Sequence, residues 1–384
     1  MIGTVIAKPT KACNADCNYC AAPPYDVNKW TVETFVKIFN KVSPQLAENV
    51  NWIWHGGEPL LMSPEFYVSC YEYAKSLKPN IKFSVQTNLL LYKTSRWKKI
   101  FDEIFGGRIS TSYDPDEKHR TIKGSSEKYV KRFHEALGNV INDGFYPLVI
   151  GTYTEDTVDY GHKIYDYSLG LSNNSFNIRY NYRYPAGKSS NSSEFITPET
   201  YAQMLLSLWE KWISDVPNFD ITPLDQMLKA VLGIEQDRCP WTNKCGGRFI
   251  GIEPNGDLYN CSEFADLRMP KYKYGNAISG NVPLRDTNIE IKVNVDGFMK
   301  KAMTSKAAVL MKRRQYDLPK DCLTCDHFRE CQGGCMRDAV LFDRGLGGKF
   351  YYCHSWKIVF DKIKSDVRKG KVDKLINDRL MVSV

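Results

Sequence analysis

A chain of 384 residues with 43% hydrophobic and 25% charged residues can build one large domain and a smaller one, each with its own core. Its net charge of +8 is dispersed among acids, so no basic patch is localised and no nucleic-acid partner is expected. No apolar run reaches the roughly 18–20 residues of a membrane span, and the first residues lack the apolar stretch of a signal peptide; a cytoplasmic chain with no membrane partner is expected.

Strand-like and helix-like segments alternate through the first half. Strands are predicted at residues 4–7, 51–54, 82–86, 108–113, 147–153 and 177–184. Helical patterns are predicted at 31–42, 64–77, 95–105, 126–143, 157–169 and 198–214. Strands separated by helix-length segments indicate βαβ units on a parallel sheet, and six of them favour a partial (β/α)6 barrel of the α/β class. The polar stretch 187–195 reads as an exposed loop. Around 215–236 the alternation ends, and short segments punctuated by Gly and Cys take over. The predicted organisation is therefore a barrel over 1–220, a cysteine-rich domain over 221–365 and a helical tail over 366–384. Residues 355–380 read as one or two basic amphipathic helices packed on the core.

Twelve cysteines dominate the composition. Without an export signal they point to metal ligation or catalysis rather than to disulfides. Cys13, Cys17 and Cys20 directly follow the first strand. Three thiolates so close can hold three corners of a cubane [4Fe–4S] cluster, leaving one iron open to a small molecule with an amine and a carboxylate. Zinc normally takes a fourth ligand, and CxxxCxxC is an unusual spacing for it. Eight more cysteines lie between Cys239 and Cys353. They suffice for two fully ligated [4Fe–4S] clusters, with two zinc-ribbon sites as the alternative.

With Tyr19 before its last cysteine, the N-terminal pattern resembles the signature of the radical S-adenosylmethionine (SAM) superfamily. The resemblance implies that SAM chelates the open iron and is cleaved reductively to a 5′-deoxyadenosyl radical. Further segments agree. His55-Gly56-Gly57-Glu58-Pro59 resembles the family's GGEP motif, whose glycines admit the SAM amino group to the backbone. Gln86-Thr87-Asn88 resembles QTNG, with Leu89 in place of the glycine. Ser112-Tyr113-Asp114 resembles SLDG, and Arg120 follows. All fall at carboxyl ends of strands, where β/α barrels build their sites. The resemblance implies SAM contacts from Tyr19, Gly56, Gly57, Glu58, Pro59, Gln86, Ser112 and Arg120.

The C-terminal cysteines are spaced like those of the SPASM domain, an extension of radical SAM enzymes that modify peptides and proteins. That resemblance implies one auxiliary cluster on Cys239, Cys245, Cys261 and Cys335 and another on Cys322, Cys325, Cys331 and Cys353. The expected cofactors are then SAM and three [4Fe–4S] clusters, fed by an external donor of flavodoxin or ferredoxin type. Auxiliary clusters without a free iron suit electron transfer, with a structural staple as the alternative. Cys70 is left over and reads as a buried hydrophobe.

Cysteine layout is similar to that of anaerobic sulfatase-maturing enzymes, which carry an aspartate after the third auxiliary-cluster cysteine. Here that position is Ser262, so Glu263 is the candidate base, with Asp266 as its alternative. The leading expectation is a maturase making an oxidative modification, such as a cross-link, in a ribosomally synthesised precursor peptide. A sulfatase-type protein maturase and a dehydrogenase of a sugar or aminocyclitol are the alternatives. Because Cys13 stands so near the start, no leader-gripping N-terminal domain is expected. A non-catalytic iron–sulfur carrier or zinc module is disfavoured by the three-cysteine site and by residues 56–59.

Overall fold

The computed structural model describes residues 1–380 apart from 23–26, 172, 174, 191–194, 235–238, 243 and 285–288. Part of the predicted loop 187–195 therefore lies outside the described residues, as does much of 215–236 beyond 234.

Seven parallel strands form the centre: β1 (Ile2–Ala7), β2 (Leu46–Trp54), β3 (Lys82–Gln86), β4 (Ile109–Ser112), β5 (Leu148–Tyr153), β6 (Ile178–Tyr182) and β7 (Ile221–Thr222). They pair in chain order. The intervening helices are α1 (Val32–Val42), α2 (Pro64–Leu77), α3 (Thr94–Lys99), α4 (Ser126–Asn142), α5 (Gly161–Gly170) and α6 (Pro198–Asp215). The fold is thus the expected partial barrel of β/α units, its strands ordered linearly and not closed into a ring.

Local chemistry explains the elements. In α1, Phe35, Ile38, Phe39 and Val42 share one buried face at helical spacing, and the Thr31 side chain caps the Thr34 N–H at 3.2 Å. Helices α2 and α6 begin alike, on Ser63-Pro64 and Thr197-Pro198, a capping hydroxyl followed by a proline whose missing N–H costs nothing in the first turn. Buried Trp52 and Trp54 alternate on β2 and pack under Phe35 and Phe83. The predicted helix 95–105 is α3 followed by a wider π turn at Ile100–Ile104, which seats Ile100, Phe101 and Ile104 in the core.

The sheet does not end where the βα alternation does. After α7 (Leu224–Val231), strand β8 (Phe249–Ile252) pairs parallel to β1, on the side away from β2. Antiparallel β9 (Asp257–Tyr259) and β10 (Gly275–Asn276) extend it to ten strands. The cysteine-rich part is therefore continuous with the barrel through β1. The helix Cys353–Arg368 runs through the predicted division at 365/366 and packs on α6, where Trp209 donates to Asp366 at 2.9 Å. A short helix at Asp373–Leu375 follows. Among the described residues no helix is long and apolar enough to cross a membrane.

Candidate active site

The loop between β1 and α1 carries Cys13, Cys17 and Cys20, and the ends of three other strands hold it. Gly57 N–H donates to the Thr10 carbonyl (3.0 Å) and Glu58 N–H to that of Ala12 (2.8 Å). After β4, the backbone of Thr121 and His119 receives Asp16 and Asn18 N–H groups, and Asp16 accepts from Thr121 and Gly124. After β6, Lys188 donates to the carbonyls of Cys17 and Cys20.

The two glycines of the 56–59 segment have a local reason. A Cβ on Gly57 would lie 2.1 Å from the Ala12 carbonyl oxygen, and one on Gly56, at φ +124°, 2.3 Å from that of Thr10. The close approach they permit is that of the chain's own cysteine loop, a constraint additional to the ligand approach expected from sequence. Leu89, at the family's glycine position, takes φ +63°. Its buried side chain and the hydrogen bond from its N–H to Thr87 Oγ1 hold this left-handed conformation, which costs a non-glycine residue about 1–2 kcal/mol.

A cavity of about 240 Å³ is lined by Cys13, Cys17 and Cys20 and by most of the expected SAM contacts: Tyr19, Gly56, Gly57, Gln86, Ser112 and Arg120. Glu58 and Pro59 do not line it, which corrects their expected role as direct contacts. Glu58 is wholly buried, and its carboxylate is spent on the Leu60 N–H (2.8 Å), the Thr87 hydroxyl (2.6 Å) and the Asn88 N–H (2.7 Å). It bolts the loop after β2 to the loop after β3. Burial pushes its carboxyl up to about 7, against the pull of these donors. Asp114 plays a similar part after β4. It accepts from Thr152 N–H (2.9 Å), from Tyr19 Oη and from Arg120 Nε (2.8 Å). Arg120 and Arg183 both stand over the Tyr19 ring, at 5.4 and 6.0 Å.

A second cavity of about 330 Å³ is lined by Cys239, Cys245, Cys261 and Cys335. The two cavities share His55, Gln86, Tyr184 and Glu263 as wall residues. Glu263 Oε2 accepts from Tyr184 Oη at 2.6 Å and lies 3.7 Å from Arg337, whose guanidinium stacks 3.8 Å over the Tyr184 ring. Burial and the charge of Lys8 lower the His55 imidazole to about 4, so it is neutral around pH 7. Cys322, Cys325, Cys331 and Cys353 line a third cavity with His327, Trp356 and Phe360. All twelve cysteines are free, and Cys70 is fully buried in α2. Among the described residues no three His, Cys, Asp or Glu side chains converge tightly enough for a single metal ion. Each cysteine set instead rings a cavity.

Asp266 is not available as a base. It accepts from both Lys8 and Lys11, and Glu253 pairs with the same two cations at 3.0 and 3.3 Å; the four side chains are 0–5% exposed. The lysines hold the Asp266 carboxyl below its usual range despite burial. This quartet joins the first cysteine loop to the segment after Cys261. Nothing in the sequence announced it, nor the wall residues Thr152, Asn181 and Arg183. The basic, aromatic stretch 179–184 was the only signal near them. Arg179 and Asn181 of β6 line cavity walls, while Tyr180 donates to the Gly161 carbonyl.

Comparisons with known proteins agree with this geometry. Residues 7–160 match the radical SAM superfamily. The chain is 25% identical over 94% of its length, and 89% of the relative's, to a serine-type anaerobic sulfatase-maturating enzyme of Bacteroides thetaiotaomicron. Its fold is similar to that of native anSMEcpe with bound AdoMet and Kp18Cys peptide (TM-score 0.77, 20% identity, 97% and 99% of the two chains). It is also similar to Streptococcus suis SuiB bound to precursor peptide SuiA (TM-score 0.59, 16% identity, 91% and 75%). The cysteine loop after β1, the strand-end residues around it and the match over residues 7–160 together make this chain a member of the radical SAM superfamily of iron–sulfur enzymes, with a cysteine-rich C-terminal part of SPASM type.

Proposed function

We propose that this chain is a radical SAM/SPASM maturase that oxidises a side chain in a peptide or protein segment and carries three [4Fe–4S] clusters. The observation behind the reading is the shared wall of the first two cavities at His55, Tyr184 and Glu263, which leaves room for a substrate residue between the SAM site and the first auxiliary cysteine set. Thiol-only donor sets ringing cavities fit cubane clusters, three ligands in the first set and four in each of the others. When bound, SAM and its cluster supply a 5′-deoxyadenosyl radical able to take a hydrogen atom from the substrate.

The chain's own residues do the rest. Tyr19, fixed by Asp114 between Arg120 and Arg183, offers a ring edge to the adenine. Gly56, Gly57, Gln86 and Ser112 shape the remainder of the SAM site. Glu263 takes the substrate proton, with Oε2 oriented by the Tyr184 hydroxyl. His55, held neutral, adds no competing charge to the wall. Residues 1–220 thus generate the radical, 221–365 handle the departing electron, and 366–384 brace α6. An external flavodoxin- or ferredoxin-type donor reduces the first cluster.

The names of the full-length relatives favour a serine or cysteine side chain in a protein substrate. Ser262, where the sulfatase-maturing pattern has aspartate, keeps a ribosomally made precursor peptide as a second reading. The test is anaerobic turnover with dithionite and SAM in the presence of synthetic peptides bearing a serine or a cysteine target. Expected are 5′-deoxyadenosine and a peptide lighter by two hydrogens. No 5′-deoxyadenosine with any peptide, from protein carrying its full iron, would count against the enzyme reading. Its formation without peptide oxidation would shift the substrate to the precursor-peptide class.

A further inference from the structure

Directly after the helix Lys306–Arg313, Arg314 stands between the two C-terminal cysteine sets. The residue is 7% exposed. Its Nη2 donates to the carbonyls of Gly333 (3.1 Å) and Gly348 (2.9 Å). Nε and Nη1 are buried too, and neither has a hydrogen-bond partner among the described residues. An unpartnered buried donor on a cation costs upwards of about 1–3 kcal/mol, so a fold that keeps two of them in one side chain has an acceptor for them in its working state. The surroundings say which acceptor. Arg314 lines a cavity with Cys239, Cys245 and Cys335 of one set. It also feels Cys322 and Cys331 of the other.

We infer that Arg314 directs its two remaining N–H groups at the sulfurs of both auxiliary clusters and holds their reduction potentials up. The inference rests on the three-cluster reading above. A cluster becomes more negative on reduction, so a fixed positive charge and N–H donors at its sulfurs stabilise the reduced form. A guanidinium suits the task, because it stays charged and projects donors in several fixed directions, whereas lysine offers a single point charge. Raised potentials would make both clusters readier acceptors of an electron leaving a substrate radical.

The experiment is an EPR-monitored redox titration of the reconstituted full chain as wild type, Arg314→Gln and Arg314→Lys, with iron counted first. About twelve irons per chain are expected in all three. In Arg314→Gln both auxiliary midpoints move to more negative potential while that of the N-terminal cluster stays in place; Arg314→Lys shifts them less. Auxiliary midpoints unmoved in Arg314→Gln at full iron content would overturn the role. Loss of auxiliary iron from both variants would overturn it as well, making the arginine a staple of the fold. A wild type without auxiliary iron would refute the three-cluster reading itself, a result seen before any variant is titrated.

Discussion

The N-terminal and C-terminal cysteine regions are held in different ways. Cys13, Cys17 and Cys20 sit on one loop pinned by backbone hydrogen bonds from the ends of β2, β4 and β6, with Glu58 and Asp114 bracing the neighbouring loops. The C-terminal cysteines are gathered from segments up to 96 residues apart, Cys239 with Cys335, on short helices and turns that pack through aromatic pairs such as Trp241 on Trp356. A barrel end can present a cysteine loop through its own hydrogen bonding. A set assembled from distant segments relies on side-chain packing and on whatever its sulfurs bind. The two regions meet at β1 and β8, where the buried quartet Lys8, Lys11, Glu253 and Asp266 spans the seam.

Four experiments test this contrast. The largest effect is expected from replacing Cys13, Cys17 and Cys20 together by Ala: 5′-deoxyadenosine formation is abolished, yet about eight of twelve irons remain, because the auxiliary sets do not use that loop. Iron analysis beside the turnover assay checks both halves of the statement. Glu263→Gln is expected to lower peptide oxidation by about 10²–10⁴-fold, the usual worth of a general base, with 5′-deoxyadenosine still formed; equal loss of both products would place Glu263 in SAM binding instead.

The seam itself is tested by Asp266→Asn, which leaves Lys8 and Lys11 short of one buried counter-charge. Breaking such a pair costs about 3–5 kcal/mol, read by denaturant unfolding under anaerobic conditions. Because the folded-state carboxyl lies below its unfolded value of roughly 3.9, the wild-type contribution is present above that pH and disappears on further acidification. The smallest effect belongs to Glu58. Its carboxyl is raised from 4.5 to about 7, so the folded state holds a proton that the unfolded chain has released. Stability is expected to decline by roughly 3 kcal/mol between about pH 4.5 and 7 and then level off. Glu58→Gln should flatten that segment of the pH profile; an unchanged slope would assign it to another group.

Much of the first half was readable because its signals are local. Period and capping residues placed all six βα units, and motifs at 56–59, 86–89 and 112–114 fell at strand ends. Their detailed use was less readable. Glu58 carries the motif but braces Thr87 and Asn88 instead of lining the cavity, a distinction that depends on where a neighbouring loop lies. Asp266 seemed an open acid by sequence position and proved to be ion-paired to two lysines more than 250 residues away.

Sequence alone determined which residue types could bind iron and where the parallel strands run, because cysteine spacing and hydrophobic period are properties of short segments. Tertiary structure alone decided that β8 continues the barrel sheet, that two cysteine cavities share Tyr184 and Glu263, and that Arg314 lies between two sets of thiols. Those facts are contacts between distant segments, set by which buried charges and donors find partners once the chain is compact. No local pattern encodes such a pairing.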